Sequence, residues 1–269
     1  MNQSEKRLFL IQSLLKEQPA DREIGVPADA DGQRRLLRGL MNLRAPQRTG
    51  AAFLQAQDDY LRGETAAKGI TDADRLTPVQ PGLYLWQGDI TTLRCDAIVN
   101  AANSGMTGCY IPNHRCIDNA IHTYAGVELR LACAELMEKQ GHPEPAGQAK
   151  ITPAFNLPCQ YVLHTVGPVI NGQVTRRDRA LLASCYRACL ALAAENGLES
   201  VAFCCISTGE FHFPNRQAAE IAVATVKDFL REQTSVKKVI FNVFKEQDRD
   251  IYEELLQADR TAAGRGAGV

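Results

Sequence analysis

Apolar residues at helical spacing mark the first part of the chain. Within residues 8–15, 36–43 and 53–61 they recur every three or four positions, as on a helix with one buried face. A polar segment with two prolines follows at 68–81 and is typical of a linker. The pattern therefore predicts a helical N-terminal extension over residues 1–80, without strands, that ends in this linker.

After residue 81 the pattern changes to short apolar runs that alternate with longer helical patterns. This alternation favours a three-layer α/β/α domain, with helices on both faces of a mixed, mostly parallel central sheet, over residues 81–258. The glycine-rich tail at 259–269 is expected to be disordered. The strands are predicted at 83–87, 97–100, 149–153, 161–166, 201–205 and 239–244, and the helices at 117–139, 178–195, 217–231 and 249–256.

Charge and hydropathy exclude several classes of function. The chain has 269 residues, with 30 Lys and Arg against 31 Asp and Glu. This balance leaves no electrostatic footprint for nucleic acid or for an anionic membrane. No apolar run approaches the roughly 18 residues of a spanning helix, and the N-terminus does not have the pattern of a signal peptide. We therefore expect a cytoplasmic protein without nucleic-acid or membrane partners.

The strongest metal signal is a short segment with two cysteines and a histidine. The chain has nine cysteines, most of which should be reduced and buried in a cytoplasmic protein. Cys109, His114 and Cys116 lie within eight residues, and Pro112 keeps the segment from forming a regular helix. Zinc suits this ligand set, and three protein ligands with an open position are typical of catalytic zinc. Two buried cysteines beside a surface histidine are the alternative.

Polar side chains also follow the first two predicted strands of the domain. In α/β sheets, ligands bind outside the carboxyl ends of the strands. Asp89 there could accept a hydrogen bond from an adenine amine, or it could cap a turn. The amides of Asn100 and Asn103 could bind sugar hydroxyls, or they could form a turn.

The segment 207–214 lies between a strand and a helix, where backbone N–H groups and the helix N-terminus can bind phosphate. Phe211 or Phe213 could pack on a ribose, and an ordinary strand-to-helix turn is the alternative. Asp118 and His122 are four residues apart and share one helix face. Asp118 also follows Cys116 by two residues, so it could face the metal site.

Together, these segments resemble the macrodomain family over about residues 80–258. Several motifs stand in the order that the family has, at similar separations. They are Gly88–Thr91, Asp96–Asn103, Asp118–His122 followed by Ala125 and Gly126, His164–Pro168 and Ile206–Gly209.

One departure from the family pattern points to a subgroup. The segment 108–116, with its Cys/His/Cys set, stands where hydrolytic macrodomains usually have a glycine-rich loop. This resembles the microbial zinc-containing macrodomains, which also have a helical N-terminal extension. The resemblance implies a zinc-dependent enzyme that removes mono-ADP-ribose from acidic residues of ADP-ribosylated proteins. Some members are encoded beside a sirtuin that modifies a lipoyl-carrier protein, which implies a partner of that class.

The resemblance also implies a role for each matching residue. Two alternatives to the hydrolase remain: an ADP-ribose-binding module with structural zinc, and an O-acetyl-ADP-ribose deacetylase. The implied roles are adenine binding by Asp89 and Ile90, diphosphate binding by Ser207, Thr208, Gly209, Glu210 and Phe211, distal-ribose orientation by Asn103, zinc ligation by Cys109, His114 and Cys116, and positioning of the ester or base catalysis by Asp118.

Overall fold

Three helices form the N-terminal extension, as the apolar spacing predicts. The computed structural model describes residues 1–19 and 24–265. The helices are α1 (Gln3–Lys16), α2 (Ala30–Leu43) and α3 (Ala51–Lys68). Their buried faces form one apolar cluster, which also contains Val127 of the neighbouring domain. The extension therefore packs against the domain that follows it.

Six of the eight strands within the described ranges form the central sheet. Its spatial order is β2-β8-β7-β4-β6-β5, and only the edge strand β5 is antiparallel to its neighbour. The central strand β4 is an apolar run, as expected for a parallel strand with both faces covered. The strands are β1 (Thr71–Asp72), β2 (Leu83–Gln87), β3 (Leu93–Arg94), β4 (Ala97–Ala101), β5 (Ala149–Pro153), β6 (Tyr161–Thr165), β7 (Ser200–Phe203) and β8 (Lys238–Val243).

Helices cover both faces of the sheet. His164 of β6 lies on the face next to α4, whereas the following residue lies on the opposite face next to α6, because side chains alternate along a strand. Helices α7 and α8 continue the layer of α6. This confirms the predicted three-layer α/β/α fold. The helices are α4 (Ile117–Ala125), α5 (Val127–Gln140), α6 (Arg176–Glu195), α7 (Asn215–Phe229) and α8 (Glu246–Arg265).

Three predicted elements differ from the structure. The single helix expected at 117–139 is two helices, because Gly126 (φ 98°, ψ 176°) interrupts it in a conformation that only glycine adopts readily. The linker contains β1, which pairs with β3; two residues are too few to leave a periodic signal. Helix α8 continues past residue 256 to Arg265, so residues 259–265 of the predicted disordered tail are helical; residues 266–269 lie outside the described ranges, and disorder there stays a prediction.

Buried polar bonds join the extension to the corner between α4 and α5. The side chain of Gln57 is fully buried in α3 and accepts a hydrogen bond of 2.9 Å from Val127 N. Asn156 donates to Asp58 of α3 at 2.7 Å and to the Ala125 carbonyl at 3.0 Å. These bonds set the position of α3 against the domain. None of the helices in the described ranges is long and apolar enough to span a membrane.

The corner at Gly126 generates a stability prediction. A Cβ added there would lie 2.6 Å from Gln57 Nε2, in addition to the strain of its backbone conformation. We expect Gly126→Ala to lower the free energy of unfolding by about 3 kcal/mol, measured by urea denaturation. Gly141→Ala is the matched control, since Gly141 is left-handed (φ 74°, ψ 6°) but has open space around it. Its expected cost is about 1 kcal/mol, and equal losses in the two variants would contradict the prediction.

Candidate active site

The segments predicted to carry chemistry meet at the carboxyl ends of the parallel strands. Gly88 N donates to Val243 O at 3.0 Å, which joins the ends of β2 and β8. Ile170 N donates to Phe211 O at 2.9 Å and joins the loop after β6 to the loop after β7. The loops that follow the parallel strands therefore lie together at one edge of the sheet. This is where ligands bind in α/β sheets.

A buried carboxyl group lies beneath this edge. Asp118, in the first turn of α4, accepts hydrogen bonds from Asn100 Nδ2 at 2.8 Å and from Asn103 Nδ2 at 3.2 Å. Burial raises the pKa of Asp118 to about 6, and the two amide donors oppose this only in part. The amide of Asn103 also donates to Gly108 O at 3.1 Å. Asn103 thus links the carboxyl group of Asp118 to Gly108, the residue before the predicted metal ligand Cys109.

His122 lies one helical turn after Asp118, on the same face of α4. Its Nε2 is 3.5 Å from Asp118 Oδ1, too long for a strong bond. Burial lowers the pKa of His122 well below its usual value, so the ring is neutral at neutral pH. Within the described residues, neither of its ring nitrogens has a hydrogen-bond partner. The two side chains are neighbours, but at neutral pH they are not an ion pair.

Cys109, His114 and Cys116 come together as their spacing predicts. Their ligand atoms all lie within 4.8 Å of one another, and Cys109 Sγ is 3.5 Å from His114 Nδ1. All nine cysteines are unpaired, and six are buried. Cys109 and Cys116 belong to the three that are half-buried. Cys116 also caps α4, where its Sγ accepts from Asn119 N at 3.4 Å.

This donor set fits zinc. Two thiols and an imidazole are the ligand types that zinc prefers, and the second nitrogen of His114, Nε2, lies 3.5 Å from Glu210 Oε1. A histidine that ligates a metal commonly donates its other N–H to a carboxylate, which fixes the ring. Burial raises the pKa of the Cys116 thiol to about 12, and a bound cation would oppose that effect. The group contains three ligands among the residues that the structure describes.

The loop at 207–211 has the features of an anion site. Hydrogen bonds of 3.0 Å from His212 N to Gly209 O and of 2.9 Å from Phe213 N to Ser207 O close the turn. Among residues 1–19 and 24–265, no backbone acceptor pairs with the N–H groups of Gly209, Glu210 and Phe211. Successive N–H groups of this kind can bind a diphosphate. The buried Ser207 hydroxyl also has no partner there.

Aromatic rings beside the cleft differ in exposure. Phe213 is 1% exposed and belongs to the core, so Phe211, which is half-buried, is the aromatic that remains for a ribose. Phe244 follows β8 directly and is 76% exposed at the strand end next to Gly88. An exposed ring at that point can stack on a base. The sequence analysis missed Phe244 because it reads as the last residue of a buried strand.

Asp89 is both a cap and an exposed acceptor. Its Oδ1 accepts from Thr91 N at 3.0 Å and caps the short 3₁₀ helix Ile90–Thr92, whereas Oδ2 accepts from Lys68 Nζ at 2.9 Å. Burial raises the pKa of Asp89, but the bonds from Thr91 and Lys68 outweigh it and leave the carboxylate ionised. The free lone pairs of Oδ2 can accept from an adenine amine. Ile90 is fully buried beneath this turn.

Known proteins resemble the chain over nearly its full length. The Macro domain family model matches residues 99–222. A protein-ADP-ribose hydrolase from Treponema medium is 58% identical over 95% of this chain and all of its own length. One from Staphylococcus aureus (strain MSSA476) is 46% identical, covering 93% of this chain and 95% of the relative. This chain belongs to the macrodomain family.

Solved macrodomains share the fold. A variant of the Oceanobacillus iheyensis macrodomain with ADPR superposes with a TM-score of 0.62 at 39% identity, over 68% of the present chain and 96% of that chain. The part it leaves uncovered is large enough to include the helical extension, from which Arg38 and Lys68 contact the site. Both residues were missed by the sequence analysis, because a polar residue on a helix surface gives no signal of what it touches.

The metal set generates the first prediction for this site. We expect purified protein to contain about one zinc, and Cys116→Ala to lose most of it, because a tetrahedral site that keeps only two of its protein ligands is incomplete. Metal analysis by mass spectrometry measures the ratio. Cys205→Ala is the matched control, since Cys205 is also half-buried but lies outside the set. Undiminished zinc in Cys116→Ala would contradict the ligand assignment.

Asp89 generates the second prediction. Asp89→Ala should weaken the affinity for ADP-ribose by about 1–3 kcal/mol, because a buried adenine amine would lose its acceptor. Calorimetry with ADP-ribose measures the dissociation constant. Asp72→Ala is the matched control, because Asp72 caps the 3₁₀ helix Ala73–Arg75 in the same way. A dissociation constant that stays at the wild-type value would show that adenine binds elsewhere.

Proposed function

We propose that this macrodomain is a zinc-dependent hydrolase that removes mono-ADP-ribose from aspartyl and glutamyl side chains of modified proteins. The observation that carries the proposal is a contact between the Cys/His/Cys set and the loop at 207–211, which has the features of an anion site. His114 Nε2 lies 3.5 Å from Glu210 Oε1. Metal ligands and phosphate-binding groups are therefore neighbours. This arrangement suits a substrate that has a diphosphate near a labile ester.

The enzyme class itself is confirmed by the relatives described above. They are named protein-ADP-ribose hydrolase and match nearly the full chain at 46% and 58% identity. The zinc dependence and the preference for acidic side chains go further than those names. They are supported by the Cys/His/Cys set and by the chemistry that it allows.

The side chains of the cleft bind and orient the substrate in this proposal. Asp89 holds the adenine amine, and the N–H groups of residues 209–211 hold the diphosphate. Asn103 orients the distal ribose through the remaining lone pair of Oδ1, since its amide hydrogens bond to Gly108 and Asp118. Asp118 holds the ester or accepts a proton from the attacking water.

The preference for acidic side chains follows from the lone pairs that the modified group offers to a metal ion. The two linkages to compare are the ester of an acidic side chain and the bond to the guanidinium of arginine. Cys109, His114 and Cys116 would hold the zinc ion, which would supply a Lewis acid to an oxygen of the substrate. An ester carbonyl offers lone pairs to such a group, whereas the guanidinium of a modified arginine is a cation without an acceptor. Esters of aspartate and glutamate are therefore the favoured substrates.

The partner and location are also part of the proposal. The modified protein is a lipoyl-carrier protein, as the subgroup resemblance implies, and the reaction takes place in the cytoplasm. The near-zero net charge supports a substrate recognised through the ADP-ribose group rather than through long-range attraction. Nucleic acid and membrane have no place in this function.

Removal of zinc separates this hydrolase from the two alternatives. Zinc removal by a chelator, or His114→Ala, should slow ADP-ribose release from an aspartyl ester by about 100-fold or more. The affinity for free ADP-ribose should change by less than about tenfold, because adenine and diphosphate keep their partners. Rates with aspartate-modified protein, arginine-modified protein and O-acetyl-ADP-ribose are measured in parallel, and zinc is added back as the control. Wild-type rates without metal would indicate a hydrolase with a structural zinc. Binding of ADP-ribose without any release by the wild-type protein would indicate the binding module, and turnover of the acetylated metabolite alone would indicate the deacetylase.

A further inference from the structure

Helix α2 of the extension lies directly against the outer side of the metal loop, here defined as residues 109–116. The helix backbone comes close to the loop at Gly39, where an added Cβ would lie 3.2 Å from Asn113 Nδ2 and 3.6 Å from Pro112 Cβ. A helix residue without a side chain thus allows the loop to touch the helix. The contact lies between the first and last ligands of the Cys/His/Cys set.

Arg38 joins the loop to the domain at this contact. Its Nη2 donates to the carbonyl oxygen of His114 at 2.9 Å and to Asn119 Oδ1 at 2.8 Å. Its Nε donates to the same Asn119 oxygen at 3.2 Å. The planar guanidinium therefore holds the backbone of a predicted metal ligand at a fixed position relative to α4. A rigid fork of donors suits this geometry better than the single point charge of a lysine.

Asn42, one turn further along α2, holds the loop at a second point. The side chain is 1% exposed, its Oδ1 accepts from Asn113 N at 2.9 Å, and its Nδ2 donates to Thr123 Oγ1 at 3.0 Å. Asn113 has a φ of 57°, in the left-handed region that costs free energy for a residue with a side chain. The hydrogen bond from Asn113 N to Asn42 stabilises the left-handed conformation of Asn113, immediately before His114.

We propose that α2 is a structural part of the metal centre and that Arg38 is a positioning residue for His114. The inference rests on the proposed function, because it takes Cys109, His114 and Cys116 as the zinc ligands. Eight residues must hold three ligand atoms within 4.8 Å, and a loop with a left-handed residue does not keep that shape unaided. Partners that orient a ligand typically affect metal affinity or activity by about 10–100-fold.

The test uses the full chain and zinc alone as the probe. Arg38→Ala should weaken zinc affinity by about 10–100-fold in competition with a chromophoric chelator. Cobalt substituted at the site should show a changed absorption spectrum, because the imidazole is no longer held. The affinity of the metal-free protein for ADP-ribose should stay within about twofold of wild type. The matched control is Arg34→Ala, one turn earlier on α2, which pairs with Asp31 and Glu64 and is half-exposed.

Each outcome decides the proposal. A purely structural Arg38 would lower the melting temperature of Arg38→Ala but leave zinc affinity and the cobalt spectrum as in Arg34→Ala, and that result overturns the proposal. If Arg38→Ala does not fold, Arg38→Met decides, since methionine fills similar space but has no donor for either acceptor; several-fold weaker zinc binding is expected, and wild-type affinity overturns the proposal. A wild-type protein that binds no zinc would refute the proposed function, and this inference with it.

Discussion

The site depends most on the hydrogen bonds of Asn119. The side chain is fully buried, its Nδ2 donates to Ile111 O at 3.0 Å, and its Oδ1 accepts from Arg38. Its backbone N–H donates to Cys116 Sγ. A buried amide is costly unless all its groups are paired, so the free energy is favourable only with the three partners in place together. The metal loop, the start of α4 and the extension are therefore one cooperative unit.

Neighbouring residues of α4 serve different partners because a helix turns by about 100° per residue. Asp118 points to the sheet, where Asn100 and Asn103 bond to it, whereas Asn119 points to the loop and to α2. One helical turn thus connects the strand end to the predicted metal ligands. Helix α4 ends at Ala125, just before Gly126, and the extension docks at this end of the helix as well.

The sequence predicts what local pattern encodes and misses what depends on long-range contact. The six strands of the sheet were found from their apolar runs, and Cys109, His114 and Cys116 from their spacing. The interruption at Gly126 was missed because helical periodicity continues on both sides of it. Arg38 contacts a residue 81 positions away, and on its own helix it looks like any solvated arginine. Only tertiary packing distinguishes Arg38 from a solvated arginine.

Both ends of the cleft contact the same extension. Lys68, at the end of α3, bonds to Asp89, the proposed adenine acceptor, and Arg38 of α2 bonds to the loop of the predicted metal ligands. The three helices α1, α2 and α3 share one apolar cluster, so the two contacts belong to one packed unit. An adenine amine that binds Asp89 shares its carboxylate with Lys68, whose ammonium also lies 3.4 Å from the centre of the Tyr124 ring in α4. Helix α4 begins at the metal loop, so the extension and this helix both connect Asp89 to the predicted metal ligands.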